Sequence, residues 1–184
     1  MIFNPKSFGA KADGSHDDTN AIQQAIDKAF FSGGGRIVLK NGVFLSGTIY
    51  LKSNISLEID ASACLLASPD INSYGSDTHH NRYRNEPELD RCFIFAENAD
   101  NIELCGNGII NGNAEFFPNS NNIYRPMMIR FLNCRNIRLH DLRLYNSAAW
   151  TTAFLDSERI FISNIDIKNS KNCNGDGLDF DGCS

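Results

Sequence analysis

The sequence predicts an all-β fold, a parallel β-helix whose N-terminal end is covered by one α-helix. Three observations predict it: one amphipathic helical segment near the N-terminus, a series of short β-rich segments after it, and an internal repeat among those segments. At 184 residues the chain can bury one sizeable core, so we expect a single domain over residues 1–184. The composition, 42% hydrophobic and 21% charged, is typical of globular proteins and excludes disordered, collagen-like and coiled-coil classes.

The first element is a capping helix predicted over residues 17–32. Asp18 or Thr19 stands at its N-cap, and Gly33 ends it. Apolar residues recur at helical spacing between these ends, namely Ala21, Ile22, Ala25, Ile26, Ala29 and Phe30. Such an apolar face needs a partner, and the first coil of a solenoid needs a cover. No second helix is predicted.

The elements that follow are short β-rich segments separated by Asn, Gly and Ser. They are RIVL, GVFL, GTIYL, ISLEI, NIELC, GIING, IRLHDLRLY and IFISNIDI. Phe131, Phe154 and Phe180 begin segments that align at steps of 23 and 26 residues, and Ile137 and Ile160 keep the step of 23. A helix-free repeat of roughly 20–30 residues is typical of a parallel β-helix. A two-sheet sandwich is the alternative, but its turns recur every ~8–12 residues and would not reproduce this spacing.

A polar, aperiodic segment over residues 68–92 interrupts the repeat, and we interpret it as an inserted loop. Long loops in compact domains tend to carry function. The candidate sugar-contacting residues in this loop are His79, His80, Arg82, Tyr83 and Arg84. A plain solvated loop is the alternative. The two adjacent histidines are not expected to bind a metal, because neighbouring residues seldom converge on one ion.

The net charge, the apolar runs and the N-terminal segment indicate which partners and which cellular location to expect. The net charge of −5 gives no electrostatic reason to expect nucleic acid or an anionic membrane as partner. No apolar run is long enough to cross a bilayer. The N-terminus lacks the basic start and apolar segment of a secretory signal, so we expect a cytoplasmic protein from the sequence as written. A secreted or periplasmic protein whose signal was removed is the alternative. The oligomeric state is not predicted.

The cysteines do not predict a disulfide framework or a zinc site. There are six, with no C-x-x-C pair and no histidine at zinc-finger spacing. A free cysteine in such a setting usually packs as a small buried residue.

The segment NGDGLDFDGCS, residues 174–184, places Asp176, Asp179 and Asp181 within six positions. One interpretation is a calcium-binding nonapeptide, but no tandem copy exists and Asp181 stands at its apolar position. A second is structural, because Asp and Asn bond neighbouring backbone groups at turns. In a strand Asp179 and Asp181 share one face, and two carboxylates side by side raise one pKa, which suits acid/base chemistry.

The same segment resembles a strand of a known protein family. NGDGLDFDGC resembles the N-T-D-G-I-D-x-D-S-C strand of the polygalacturonase family, glycoside hydrolase family 28, which is built on a right-handed parallel β-helix. Further stretches resemble family segments in the same order, so the resemblance covers essentially the whole chain. They are SFGAKADGSHDDTNAIQQAID, GGGRIVLKNGVFLSGTIYLKSNISLEIDASACLLASPD, GNGIINGNAEFF, RPMMIRFLNCRNI and NSAAWTTAF.

The resemblance implies an inverting hydrolase of pectic polysaccharide, without cofactor or metal. Asp176 matches the family aspartate that helps to position or activate the attacking water, and Asn174 matches the asparagine two positions before it. The candidate substrate contacts are Asn174, Asp179, Trp150, Arg82 and Arg84. Structural roles for Asp179 and Asp181, and a packing role for Trp150, are the alternatives.

The family's general acid lies in an Asp-Asp pair one coil further along than this sequence extends. We therefore expect the chain to be truncated at its C-terminal side and the 184 residues alone to be inactive. Two other functions stay open on the same scaffold. One is a polysaccharide lyase, which would use a basic residue and often calcium. The other is a module that binds a glycan without cleaving it.

Overall fold

A computed structural model describes residues 1–78, 90–120, 124–169 and 174–184 of the protein. The first half of the fold contains β1 (Ile2–Phe3), β2 (Asp13–Asp17), α1 (Thr19–Phe31), β3 (Gly35–Leu39), β4 (Gly42–Ser46), β5 (Ile49–Tyr50), β6 (Ile55–Ile59) and β7 (Ala63–Ala67). The second half contains β8 (Cys92–Glu97), β9 (Asp100–Cys105), β10 (Ile109–Asn111), β11 (Met127–Leu132), β12 (Arg135–Tyr145), β13 (Thr152–Leu155), β14 (Glu158–Lys168) and β15 (Asp179–Asp181). Short 3-10 turns occupy Pro5–Phe8, Ile71–Ser73 and Ala114–Phe116.

The strands stack as the coils of a parallel β-helix, which confirms the predicted fold class. One sheet runs in the order β1-β3-β6-β9-β12-β10-β7-β4-β2, with β14 added beside β12. A second sheet runs β15-β13-β11-β8-β5. Strand neighbours in both sheets are parallel and come from successive coils. The strands β12 and β14 are long. In the earlier coils two distinct strands, such as β9 and β10, occupy the length that β12 or β14 covers as one strand.

The repeat identified in the sequence is the length of one coil. Phe131 pairs with Phe154, and Phe154 pairs with Phe180, across β11, β13 and β15. Their rings form a ladder, with centroids 5.8 Å apart in the first pair and 5.3 Å in the second. Ile137 and Ile160 pair across β12 and β14, again as the spacing predicts. Side chains of equal type thus lie above one another in the core, which is how a solenoid buries surface.

Helix α1 covers the first coils, and of the two predicted N-cap candidates Asp18 occupies that position, with Thr19 the first helical residue. The Asp18 carboxylate makes no cap bond; it accepts the N–H groups of Lys11 and Ala12 at 2.7 and 2.9 Å. It therefore fixes the chain before the helix. The predicted apolar face is buried at Ala21, Ile22, Ala25, Ile26 and Ala29. Phe30, by contrast, is 39% exposed, because it lies at the margin of that face, where Lys52 Nζ stands 5.2 Å from its ring centroid.

Asparagines occupy the corners of the coils, where one strand ends and the next begins, and this explains why Asn separates the β-rich segments in the sequence. Asn54, Asn101 and Asn136 all have left-handed backbone, with φ of 63°, 58° and 54°. Asn tolerates this conformation better than most residues. The side chains form a ladder, since Asn101 donates to Asn54 at 2.8 Å and Asn136 donates to Asn101 at 3.0 Å.

Cysteines in the described residues are free thiols, and Cys92, Cys105 and Cys134 are buried among the strands. Within the same residues, no helix has the length and apolar character that crossing a membrane requires.

Candidate active site

The C-terminal aspartates lie on and just before β15, the last strand of the second sheet. Asp179 pairs with Ala153 and Asp181 with Leu155 of β13, so the two carboxylates share a face as the sequence predicts. Phe180 points to the other face and stacks on the Phe154 ring. Asn174 and Asp176 are exposed in the turn that leads into the strand, which we call the aspartate turn, residues 174–178.

Hydrogen bonds fix the aspartate turn to the segment before β13. The carbonyl of Asp176 accepts the Thr151 N–H at 2.9 Å, and the carbonyl of Gly177 accepts the Thr152 hydroxyl at 3.1 Å. Asn169 is the hub of this network. Its Nδ2 donates to the Gly175 carbonyl at 3.1 Å and to the Thr151 hydroxyl.

Asn169 also binds the chain on its other side, because its Oδ1 accepts the Ser147 N–H at 2.9 Å. One side chain thus joins the end of β14, the segment before β13 and the aspartate turn. Sequence reasoning did not find Asn169, since nothing in its local sequence distinguishes it from the corner asparagines. The signal that would find it is its position directly after a strand and one coil beyond Asn146.

Asp179 is half-buried at the start of β15. Burial raises its pKa, and the nearby negative charge of Asp176 raises it further. Its buried Oδ2 atom accepts no hydrogen bond from the described residues. An unsatisfied buried acceptor is unfavourable for folding, so this oxygen is suited to accept a hydroxyl from a ligand or to carry a proton.

Trp150 lies next to the aspartate turn, one residue before Thr151. It is half-buried and packs against a small cluster that is separate from the main core. That cluster comprises Cys92, Phe95, Met127, Ala149 and Ala153. Packing therefore holds part of the indole, as the alternative interpretation expects, and the rest of it is open to solvent.

Two buried arginines, which no sequence pattern indicated, support the segments around the site. Arg125 donates to the Ala148 carbonyl at 2.9 Å, two residues before Trp150. Arg130 donates to the Thr78 carbonyl at 2.8 Å, within the inserted loop. The structure thus brings Asn174, Asp176, Asp179 and Trp150 into one region. Arg82 and Arg84, with His79, His80 and Tyr83, lie outside the described residues.

Comparison with known proteins finds similar sequences and structures among polygalacturonases. A family model described as "Rhamnogalacturonase A/epimerase, pectate lyase-like" matches residues 2–149. A probable polygalacturonase of Vitis vinifera is 28% identical over 198 residues, covering 96% of this chain and 39% of that protein. These findings confirm the predicted resemblance.

Two solved structures are similar along almost the whole chain. The exopolygalacturonase of Thermotoga maritima is 25% identical with a TM-score of 0.79, covering 94% of this chain and 48% of that one. The family 28 exopolygalacturonase of Yersinia enterocolitica is 22% identical with a TM-score of 0.85, covering 98% and 41%, and shows the shared fold. The chain spans less than half the length of each of these three relatives.

Proposed function

Because the chain belongs to the rhamnogalacturonase A/epimerase, pectate lyase-like family, we propose that it is part of a glycoside hydrolase that degrades pectic polysaccharide. The proposed reaction is hydrolysis of α-1,4-galacturonosyl or rhamnogalacturonan linkages with inversion at the anomeric carbon. The observation that carries the proposal is the aspartate turn, where an exposed Asp176 stands beside a half-buried Asp179 whose pKa is raised.

Inverting hydrolysis needs two carboxyl groups with different tasks. One accepts a proton from the attacking water, and the other protonates the leaving glycosidic oxygen from the opposite side of the sugar ring. The two groups stand ~6.5–9.5 Å apart so that the water fits between them and the anomeric carbon. We assign Asp176 to the water, because its side chain is exposed while its backbone is held by the Thr151 N–H.

The other candidate residues would bind the sugar. The unsatisfied Oδ2 of Asp179 is an acceptor for a sugar hydroxyl, and the exposed Asn174 side chain offers both a donor and an acceptor. The open part of the Trp150 ring suits the apolar face of a pyranose. The chain is acidic overall, so a galacturonate carboxylate requires local positive charge, which Arg82 and Arg84 would supply through their guanidinium groups.

The test uses the 184-residue chain and the complete product of its gene, each with polygalacturonate and with rhamnogalacturonan. Reducing ends and ultraviolet absorbance are followed together, because hydrolysis makes a reducing end without a double bond. Asp176→Asn is expected to lower the rate about 100-fold or more, as loss of a group that manages proton transfer does. Asp100→Asn is the matched control, an exposed aspartate at the start of β9 in the other sheet, and should leave the rate unchanged.

Three results would overturn the proposal. An unsaturated, ultraviolet-absorbing product would indicate a lyase. Saturable binding of either glycan by the complete protein without any cleavage would indicate a binding module. Equal loss of rate in both variants would remove Asp176 from the assigned role.

A further inference from the structure

A second group of reactive side chains lies on the first sheet, on strands that do not contribute to the aspartate turn. Glu103 and Cys105 are two residues apart on β9 and therefore project from the same face. His140 lies on β12, which pairs with β9 in parallel. The carboxylate, thiol and imidazole ligand atoms all lie within 4.8 Å of one another.

The orientation of His140 is the most informative feature of this group. Its Nδ1 is 2.8 Å from Oδ2 of Asp141, whose Oδ1 accepts the Asn164 amide at 2.6 Å. In the neutral tautomer that the Asp141 carboxylate favours, with the ring proton on Nδ1, the lone pair of Nε2 faces Oε1 of Glu103 at 3.2 Å. Two acceptors at this distance repel unless a proton or a cation lies between them. Histidines that bind metals are held by a carboxylate on their other nitrogen in the same manner.

Glu103 is positioned by its surroundings as well. Its Oε2 accepts the Ser56 hydroxyl at 2.6 Å, which leaves Oε1 directed at His140. Two arginines approach the same carboxylate, with Arg36 at 4.0 Å and Arg138 at 3.7 Å. Both distances exceed a hydrogen bond, so the arginines contribute charge without filling the lone pairs of Oε1.

We propose that Glu103, Cys105 and His140 bind a single Zn²⁺ ion, with the fourth position open to solvent. A mixed oxygen, sulfur and nitrogen set suits zinc and does not suit calcium or magnesium, which take oxygen ligands. Glu103 also lines an open groove of about 640 Å³, so an ion can reach its carboxylate from solvent. Binding replaces the thiol proton of Cys105, which leaves to solvent as the zinc–sulfur bond forms.

The distances are close to what a tetrahedral ion needs. Metal–ligand bonds of about 2.0–2.3 Å place neighbouring ligand atoms roughly 3.3–3.6 Å apart. The nitrogen and oxygen already stand 3.2 Å apart. The sulfur stands at most 4.8 Å from the other two atoms, so it has to approach by at most about 1.3 Å, which rotation of a cysteine side chain supplies.

The site was not predicted from sequence because its spacing is not local. The ligands Cys105 and His140 are separated by one whole coil with its loop, so no C-x-x-C or zinc-finger pattern arises. Strand alternation and coil stacking bring them together instead.

The test uses the 184-residue chain, reduced and free of metal, titrated with Co²⁺ as a spectroscopic stand-in and with Zn²⁺ by calorimetry. Wild type is expected to bind one equivalent and to develop a near-ultraviolet absorption band from thiolate bound to Co²⁺. Cys105→Ser should abolish this band. Cys64→Ser is the matched control, a half-buried thiol on β7, and should keep it.

The Asp141→Asn variant distinguishes a preorganised metal site from an accidental cluster of ligand side chains. It leaves all three ligands in place and removes the carboxylate charge that holds Nδ1 of His140 and accepts the Asn164 amide, so Zn²⁺ affinity is expected to fall about 10–100-fold. Failure of wild type to bind one equivalent of either ion, or an unchanged absorption band in Cys105→Ser, would overturn the proposal. Neither measurement involves a glycan, so the result is independent of the proposed hydrolase activity.

Discussion

The coil of β12 and the coil of β14 carry the same residue types and differ in what covers them. The two strands pair along their length, and their inward residues match as Ile137 with Ile160, Leu139 with Ile162, Leu142 with Ile165 and Leu144 with Ile167. These inward residues are buried in β12, whereas those in β14 are half-buried. β12 lies between β9 or β10 on one side and β14 on the other, but no described strand pairs with the outer edge of β14.

This difference shows that burial in a solenoid is a property of stacking and not of the residue. At the N-terminal end, α1 covers the coil, and Ile22 and Ile26 are completely buried. At the β14 end the described residues include no such cover. A substitution should therefore cost free energy of unfolding in proportion to the number of coils that touch the residue.

Substitutions in the ladder of phenylalanine rings are expected to change the free energy of unfolding most. Phe154 is 0% exposed between the rings of Phe131 and Phe180, whereas Phe180 is 52% exposed and touches a ring on one side. We expect Phe154→Ala to lower the free energy of unfolding by about 3–5 kcal/mol, and Phe180→Ala to lower it by less than half as much. Urea denaturation followed by circular dichroism measures both, and equal losses would show that the last coil is not the less buried one.

Sequence patterns predicted the stacking correctly because the relevant signals are local or strictly repeated. The apolar helical face, the N-cap Asp18 and the phenylalanine step each follow from spacing within one segment or between equal coils. The pairing of Asp179 and Asp181 on one face follows from strand alternation alone. These features account for the fold class and for the position of the aspartate turn.

Features that depend on register between unequal coils could not be predicted. Cys105 faces His140 only after the loop before β11 is accounted for, and Asn169 reaches Gly175 only when the coil has closed. The exposure of Phe30 similarly depends on what lies beside the helix. Hydrogen bonds of this kind are made by distant segments, so no pattern within one segment indicates them.

Substitution of Asn169, the hub of the hydrogen bonds around the aspartate turn, is expected to give the next largest change in the free energy of unfolding. Asn169→Ala removes the hydrogen bonds to the Thr151 hydroxyl, the Ser147 N–H and the Gly175 carbonyl, so a loss of about 1–3 kcal/mol is expected. Asn72→Ala is the control, since Asn72 is exposed and, among the described residues, its amide bonds to Asp70. Amide hydrogen exchange should accelerate in residues 174–178 and not in β12. Uniform acceleration along the chain would instead make Asn169 a general stability residue.

The corner ladder ends where the covered coils end. In the β14 coil, Arg159 occupies the place that Asn136 has in the β12 coil, and its φ is 54°. We expect Arg159→Asn to raise the free energy of unfolding by about 1 kcal/mol, because Asn tolerates left-handed backbone better and extends the side-chain ladder. Arg159→Ala retains the backbone cost and adds no ladder bond, so it should not stabilise. The same urea experiment compares them, and equal effects of Asn and Ala would exclude the ladder as the cause.

Substitution of Asp179 is expected to change stability least, and the change should depend on pH in a way that identifies this carboxyl group. The β15 coil has a carboxylate where the β13 coil has buried Ala153, and burial together with the charge of Asp176 raises the pKa of Asp179. A raised pKa in the folded state means that this group contributes full stability below its unfolded pKa of about 4, and loses that contribution as pH rises through the folded pKa. Asp179→Asn keeps the shape without the charge.

The Asp179→Asn variant should therefore melt at a higher temperature than wild type at pH 7, and the difference should shrink towards zero as pH falls below about 4. Asp176→Asn should give a smaller gain of the same sign, because it removes the neighbouring charge and leaves the burial. Melting curves at several pH values measure both. A wild type that is more stable than Asp179→Asn at pH 7 would mean that the carboxylate is compensated in place. A gain would mean that the coil retains an unfavourable charge, as expected of a residue kept for binding or catalysis.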